Sequence, residues 1–357
     1  MISQNAMLHA EKCRYCFMCR HLCPVQLQTG KEINTPRAKG LVLSMVNKGT
    51  EVFDKDMAQT MYECMLCDAC VNDCATGYQP PIYIREARTE AVANDLAPEA
   101  VMNLIANIEA TGNIYGVEKP SFAQDGTDVL VYVGEVAACK TPQMAKSLLK
   151  LLAKAGVSAK VLDKEPASGV MLADLAGYVD EVTQQARACA DAINAAGLPT
   201  VVVLDSYDAE IIKQQYPQWG CEVSANVVTA TEFVAGLYAS GKLTAKAPTG
   251  TLAACHDDDR LARTFHEFEP IRALAAAAGF ELCEMFNTER LAKSCGSAVA
   301  LEYMPNITVK VADGRWSDLL RTKARTMVTA NPQSFLCLSQ ATPADCTLVD
   351  LYTALAD

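Results

Sequence analysis

The 357 residues carry a net charge of −11, with 31 Lys and Arg against 42 Asp and Glu, which leaves no excess of cations to displace counterions from nucleic acid. Half of the residues are apolar and a fifth charged, as in a globular protein of two or three domains, and no apolar run approaches the roughly 18–20 residues of a membrane span. The start, MISQNAMLHAEK, has neither the charged and apolar regions of an export signal nor a twin arginine. The expected location is therefore cytoplasmic, with contact to the inner face of a membrane only through a partner.

Sixteen cysteines in such a chain read as metal ligands and buried small residues rather than disulfides. Eight of them fall into two copies of C-x2-C-x2-C-x3-C: CRYCFMCRHLCP at 13–24 and CMLCDACVNDCA at 64–75. Zinc sites pair two C-x2-C units, whereas this longer run is the spacing that presents three thiolates to a cubane and sends the fourth to its neighbour. On that rule Cys13, Cys16, Cys19 and Cys74 bind one [4Fe–4S] cluster, and Cys64, Cys67, Cys70 and Cys23 the other. Ala75 stands where the first run has Pro24, which removes a rigid turn but no ligand. Lys12, Arg14, Arg20 and Arg37 lie close by in sequence and read as a solvated face, as does His21.

Between the runs, PRAKGLVLSMVNKG (36–49) has the apolar spacing of a short amphipathic helix closed by Gly49, and PPIYIREARTEAVAND (80–95) reads as a second. These define a helical domain over 1–105, followed by a linker over 106–127. From 128 the pattern alternates strand and helix. DVLVYVGE (128–135) is a buried strand, TPQMAKSLLKLLAKAG (141–156) a helix, VSAKVLD (157–163) a strand and DEVTQQARACADAINAAG (180–197) a helix. TVVVLD (200–205) is again a strand, with a helix to about Tyr216. The order recurs after the Gly-bounded joint GKLTAKAPTG (241–250). TLAACHD (251–257) is a strand, a helix runs from Arg260 to Gly279, FELCEMF (280–286) is a strand, WSDLLRTKARTM (316–327) a helix and VTAN (328–331) a strand. The expected fold is α+β overall: a helical two-cluster domain, then a duplicated α/β unit over 128–245 and 246–357 with parallel sheets.

Two cluster runs followed by a duplicated α/β region resemble the iron–sulfur subunits of anaerobic glycerol-3-phosphate dehydrogenase, glycolate oxidase and lactate-utilisation complexes, and heterodisulfide reductase. In that CCG-domain (cysteine-rich) family each α/β copy carries a Cys, then Cys-Cys-Gly, then Cys-Pro-x-Cys. In heterodisulfide reductase these hold a non-cubane cluster where the disulfide is cleaved. Here HDDDRLAR (256–263) resembles the first element with Asp259 at the cysteine. SCG (294–296) resembles the second with Ser294 and Cys295, and NPQS (331–334) the third with Asn331 and Ser334. The first copy departs further, with Glu135 at the first element, ASG at 167–169 and DSYD at 205–208. Hydroxyl, amide and carboxylate oxygens are hard, poor ligands for a sulfide cluster, so no non-cubane cluster is expected.

Asp205, Asp208 and Glu135 are expected at the carboxyl ends of strands, as polar filling of a vacated, water-open pocket. The HDDD run at 256–259 is expected to cap a helix. What the resemblance implies is an electron-transfer subunit. It would pass single electrons through two cubanes between a flavoprotein dehydrogenase or reductase, which carries the flavin, and a quinone, a ferredoxin or another redox subunit, with the α/β region as a docking scaffold. The alternative is a catalytic subunit of the heterodisulfide-reductase kind with its active site in the α/β region.

Overall fold

The computed structural model describes residues 2–357. Its first hundred residues are helical, and most helix starts are chemically marked. Ser3 caps Gln4–Glu11, Thr35 caps Pro36–Asn47 and Asp54 caps Lys55–Tyr62, each side chain accepting a backbone N–H of the first turn. Pro80–Ala93 opens instead on two prolines, whose missing N–H groups cost nothing there. Met7, Leu43, Met61, Tyr83 and Ile84 form the core of this region. The Tyr78 and Tyr83 hydroxyls lie 2.6 Å apart and 2.9 and 2.8 Å from the Pro36 carbonyl, so one donates to that carbonyl and the other to its neighbouring hydroxyl. A Cβ on Gly40 would overlap the Tyr78 hydroxyl. Gly40→Ala is therefore expected to cost about 1–3 kcal/mol by overpacking, read as a lowered denaturation midpoint with an unchanged slope.

The remainder holds two four-stranded parallel sheets. β1 (Val129–Tyr132), β2 (Ala159–Lys160), β3 (Thr200–Val203) and β4 (Asn226–Thr229) pair in the order β2-β1-β3-β4. β5 (Leu252–Cys255), β6 (Glu281–Leu282), β7 (Thr326–Thr329) and β8 (Thr347–Asp350) repeat that order as β6-β5-β7-β8. Val131 lies opposite Val202 and Ala254 opposite Met327. Helices cover both faces, which is why VLVY and TMVT are buried along their whole length.

The sheets pack reciprocally. The helix after β1, Pro142–Lys154, lies on the helix after β8, Leu351–Ala356, while the helix after β4, Ala230–Ala239, lies on the helix after β5, Glu269–Ala277. This exchange relates the two units by an approximate two-fold, with a shared core of Leu148, Leu152, Val234, Leu237, Ile271, Leu274 and Leu355.

Several expectations are corrected. The strands read at 157–163 and 280–286 shrink to two residues each, Ala159–Lys160 and Glu281–Leu282, each held by only two register pairs to β1 or β5. The helix expected from Arg260 to Gly279 is two, Asp259–Arg263 and Glu269–Ala277, parted at His266, whose φ is +57°. Pro270 can sit only in the first turn of a helix, so the second piece starts beside it. The helix expected at 316–327 begins at Pro305 and stops at Leu320. The division at 105/106 falls inside the helix Glu99–Thr111, which Gly112 ends at φ +77°. That helix is no linker: it packs on Val170–Ala176 of the first α/β unit and Ala298–Tyr303 of the second. Among the described residues no helix is long and apolar enough to cross a membrane.

Candidate metal centres and the buried junction behind them

The two cysteine runs fold alike, residue for residue. In the first, Tyr15 and Phe17 have φ of +55° and +68°. In the second, Leu66 and Asp68, at the same offsets, have φ of +51° and +60°. None is glycine, so each loop holds two side chains in a left-handed conformation that costs on the order of 1 kcal/mol apiece. The return is convergence of the thiols. Tyr15 N–H donates to Cys13 Sγ and Leu66 N–H to Cys64 Sγ, each at 3.4 Å, and Phe17 and Asp68 each precede a short helical turn carrying the next cysteines.

The first loop closes over a cavity of about 130 Å³ lined by Cys13, Cys16, Cys19, Cys70 and Cys74, with Arg37 and Tyr78. All four cysteines expected to share the first cluster face this space. The second set gathers behind it: the Cys23 thiol feels Cys64, and the thiols of Cys67 and Cys70 feel Cys23. Burial pushes Cys19 and Cys23 up to about 11 and raises Cys67 and Cys70 as well. These groups are therefore thiols at neutral pH until iron displaces their protons. Among the described residues no three His, Cys, Asp or Glu side chains are drawn close enough for one metal ion. A cubane asks for wider spacing, because each thiolate binds a different iron.

Two buried cations test whether this environment fits an anionic cluster. Arg88 and Lys39 are each only 1% exposed. Arg88 donates to the carbonyls of Cys64 (2.7 Å) and Asp174 (2.5 Å), and its Nε has no hydrogen-bond partner among the described residues. The Asp174 carboxylate is taken by Arg85 at 2.6 Å. Lys39 Nζ reaches the Ile33 carbonyl at a long 3.4 Å, with Cys64 and Cys23 foremost among the groups in its field. Neither cation has a carboxylate within ion-pair distance among the described residues, and an uncompensated buried charge costs several kcal/mol. A cluster on Cys23, Cys64, Cys67 and Cys70 would supply the missing negative charge, so the residues fit one.

The second loop is also clamped from the α/β region. Arg260 donates to the Leu66 carbonyl (2.9 Å) and to Asp68 (2.6 Å) and pairs with Glu210 (2.8 Å), while Arg263 donates to the Cys67 carbonyl (2.7 Å). Met65 and Cys67 pack on Ala300, Met304 and Val311. The first loop faces outward, with Cys16 exposed. Arg14, Arg20 and His21 are exposed as expected. Arg37 is not simply solvated: it stacks over Phe17 (4.2 Å to the ring centre) and pairs with Glu32 at 2.7 Å.

Behind the clamp, the carboxyl ends of the strands of both sheets meet, at the switch point where open parallel sheets bind ligands. The positions that the resemblance assigns to lost ligands do converge there. Ser294 Oγ and Arg263 both donate to Asp259 at 2.6 Å, and Tyr207 donates at 3.1 Å. Ser206 and Ser334 donate to Asp258 at 2.5 and 2.9 Å. Asn331 bridges the copies, donating to Asp205 (3.1 Å) and Ser206 (2.7 Å), and Ser168 donates to Asp208 at 2.5 Å. Asp258 caps its helix through the N–H groups of Arg260 and Leu261, as expected.

The water-open pocket is overturned. Asp205, Asp208, Glu135, Asp258 and Asp259 are all buried, because the two units turn these edges against each other and fill the space with hydrogen bonds. Burial pushes Glu135 up to about 7 and Asp205 up to about 6, with Asp258 adding to the latter, and raises Asp208 well above the carboxylate range. Sequence reasoning missed Arg88 and Lys39. The signal was present: Arg88 continues the buried stripe Tyr83, Ile84, Ala87, Ala91, and Lys39 the stripe Pro36, Gly40, Leu43.

Residues 9–78 match the family model described as a 4Fe-4S dicluster domain. A probable membrane-anchored ferredoxin of Chromohalobacter salexigens is 24% identical over 95% of this chain and 58% of its own length. An EtfAB:quinone oxidoreductase of Syntrophomonas wolfei is 24% identical over 79% of this chain and 42% of its own. The chain thus spans about half the length of these two curated relatives. A subunit of the dihydromethanophenazine:CoB–CoM heterodisulfide reductase of Methanosarcina barkeri is 21% identical over 78% of this chain and 72% of its own. A hypothetical protein from Helicobacter pylori shares the fold, with a TM-score of 0.57 at 11% identity over 98% of this chain and 72% of that one. The chain thus carries a 4Fe-4S dicluster region and is similar, over most of its length, to a ferredoxin, a quinone oxidoreductase and a heterodisulfide reductase subunit.

Proposed function

We propose that the chain relays single electrons through two [4Fe–4S] clusters, one on Cys13, Cys16, Cys19 and Cys74 and the other on Cys64, Cys67, Cys70 and Cys23. The observation that carries this reading is the pair of like loops, each with two left-handed residues between its cysteines, one open to solvent and one clamped to the α/β region. Bound there, the clusters supply one-electron storage at potentials set by charge, hydrogen bonds and exposure. The chain's own residues turn the thiols inward, offset the negative charge with Arg88 and Lys39, and hold the second site in the protein. The electrons would pass between a flavoprotein dehydrogenase or reductase and a quinone, a ferredoxin or another redox subunit, a placement supported by the names of the relatives.

The α/β region, as two copies over 128–245 and 246–357, is proposed as a CCG-like docking scaffold with no cluster of its own. Asp259, Ser294, Asn331 and Ser334 hold one another and their neighbours in hydrogen bonds, and their oxygens are too hard for a sulfide cluster. The same chemistry weighs against a heterodisulfide-reductase-like active site there.

Iron analysis tests the reading: about eight irons per chain are expected for two cubanes, and zinc, or four irons, would overturn it. Ligand crossing is tested by paramagnetic resonance of single variants. Cys74→Ala is expected to lose the same signal as Cys16→Ala, and Cys23→Ala the same signal as Cys67→Ala. The opposite pairing would show that each run serves its own cluster.

A further inference from the structure

The loop over the first cavity presents an unusual surface. Tyr15, Phe17 and Met18 are 48, 44 and 52% exposed, although large apolar side chains in an open loop gain nothing from water. Tyr15 and Phe17 are the left-handed residues between the cysteines, and Phe17 and Met18 form the rim of the cavity that Cys13, Cys16 and Cys19 line, so all three remain open to solvent. Cations surround them. Arg37 stacks over Phe17 and Tyr15, Arg14 hydrogen-bonds to backbone carbonyls, and Arg20 and Lys31 are exposed. Residues 11–37 carry five Lys and Arg against two Glu in a chain whose net charge is −11. Even with Glu32 paired to Arg37 and Arg20 and with Asp73 on the cavity wall, this segment of an acidic protein keeps a net positive charge around an apolar tip set directly on the cysteine loop.

We propose that this tip is the electron port of the first cluster and that it receives a one-electron redox protein whose exposed cofactor edge is apolar and ringed by carboxylates. The inference rests on the relay reading above. The apolar trio excludes water where the two redox centres approach, and the basic ring orients an acidic partner during encounter, since opposite fields steer association and like fields suppress it. Three large side chains make a small contact, suited to the transient encounters of redox proteins. The second loop cannot serve in this way, because Met65, Leu66 and Cys67 are buried.

The test uses the full chain with its clusters reduced, mixed in stopped flow with ferric cytochrome c in two forms: the native basic protein, and one succinylated so that its lysines become carboxylates. In each reaction one electron leaves a reduced cubane and converts ferric haem to ferrous haem. The acidic form is expected to react about tenfold faster at low salt, with the advantage fading as ionic strength rises. The double variant Arg14→Glu/Arg20→Glu is expected to reverse the preference while iron content and both paramagnetic signals stay unchanged, and the uncharged Met18→Gln to slow both forms. Faster reaction of the basic form, or an unaltered preference in the double variant, overturns the port alone. A chain with no reducible iron overturns the relay beneath it.

Discussion

Arg88→Met is expected to lower the midpoint potential of the second cluster and leave the first nearly unchanged. Reduction adds a negative charge to a site where Arg88 lies on the Cys64 carbonyl, inside the protein and with no carboxylate within ion-pair distance among the described residues. Removing a unit charge on the order of 7 Å away, at an effective dielectric constant near 20, weakens the reduced state by about 2 kcal/mol. For a one-electron couple that is roughly 80–90 mV, at 59 mV per tenfold change in the equilibrium constant. Arg88→Lys keeps the charge but loses the forked contacts to Cys64, Tyr62 and Asp174, so it is expected to lose stability yet hold most of the potential. Redox titration followed by paramagnetic resonance reads both variants. An equal shift in the two would show that packing, rather than charge, sets the potential.

Asp205→Asn is expected to stabilise the protein at pH 8, by about 2–3 kcal/mol, and to do little at pH 4. In the folded chain burial holds this carboxyl up at about 6, against roughly 3.9 in an unfolded chain. Between those values the native state binds more protons than the unfolded state, so stability falls as pH rises from about 4 to 6 and is level above. The amide cannot ionise, and its oxygen can still accept from the Tyr207 N–H, from Asn331 and from Gln333 as Asp205 Oδ1 does. The Oδ2 atom it replaces has no partner among the described residues. Denaturant midpoints at pH 5.5 and pH 8 should therefore differ in the parent chain and coincide more closely in the variant. A variant less stable than the parent at pH 8 would mean that the ionised carboxylate is held by the junction rather than resisted by it.

These two sites show how differently the chain's parts can be read from its sequence. The cysteine spacing was legible because a cluster loop is local: three thiols within seven residues, with side-chain and backbone geometry repeated in both runs. The parallel sheets were legible too, since strands buried on both faces must be apolar along their length, as VLVY and TVVV are. Local reading failed where one residue overrode a pattern, as Pro270 does in the helix expected to run from Arg260 to Gly279. It failed again at Ala159–Lys160 and Glu281–Leu282, whose length depends on pairing with neighbours, and at Glu99–Thr111, whose apolar face has meaning only once two α/β units lie beneath it.

The sequence by itself determined eight thiols in two runs of one spacing, attached to a repeated α/β frame that carries Asp, Ser and Asn at the ends of its strands. Tertiary structure alone decided that those oxygens are sealed from water, that Arg88 and Lys39 are buried beside the second cysteine set, and that the first loop faces solvent. The physical reason is range. Spacing, capping and periodicity act over a few residues, whereas burial, charge compensation and exposure arise only when segments a hundred or more residues apart, such as Asp205 and Asn331, are packed together.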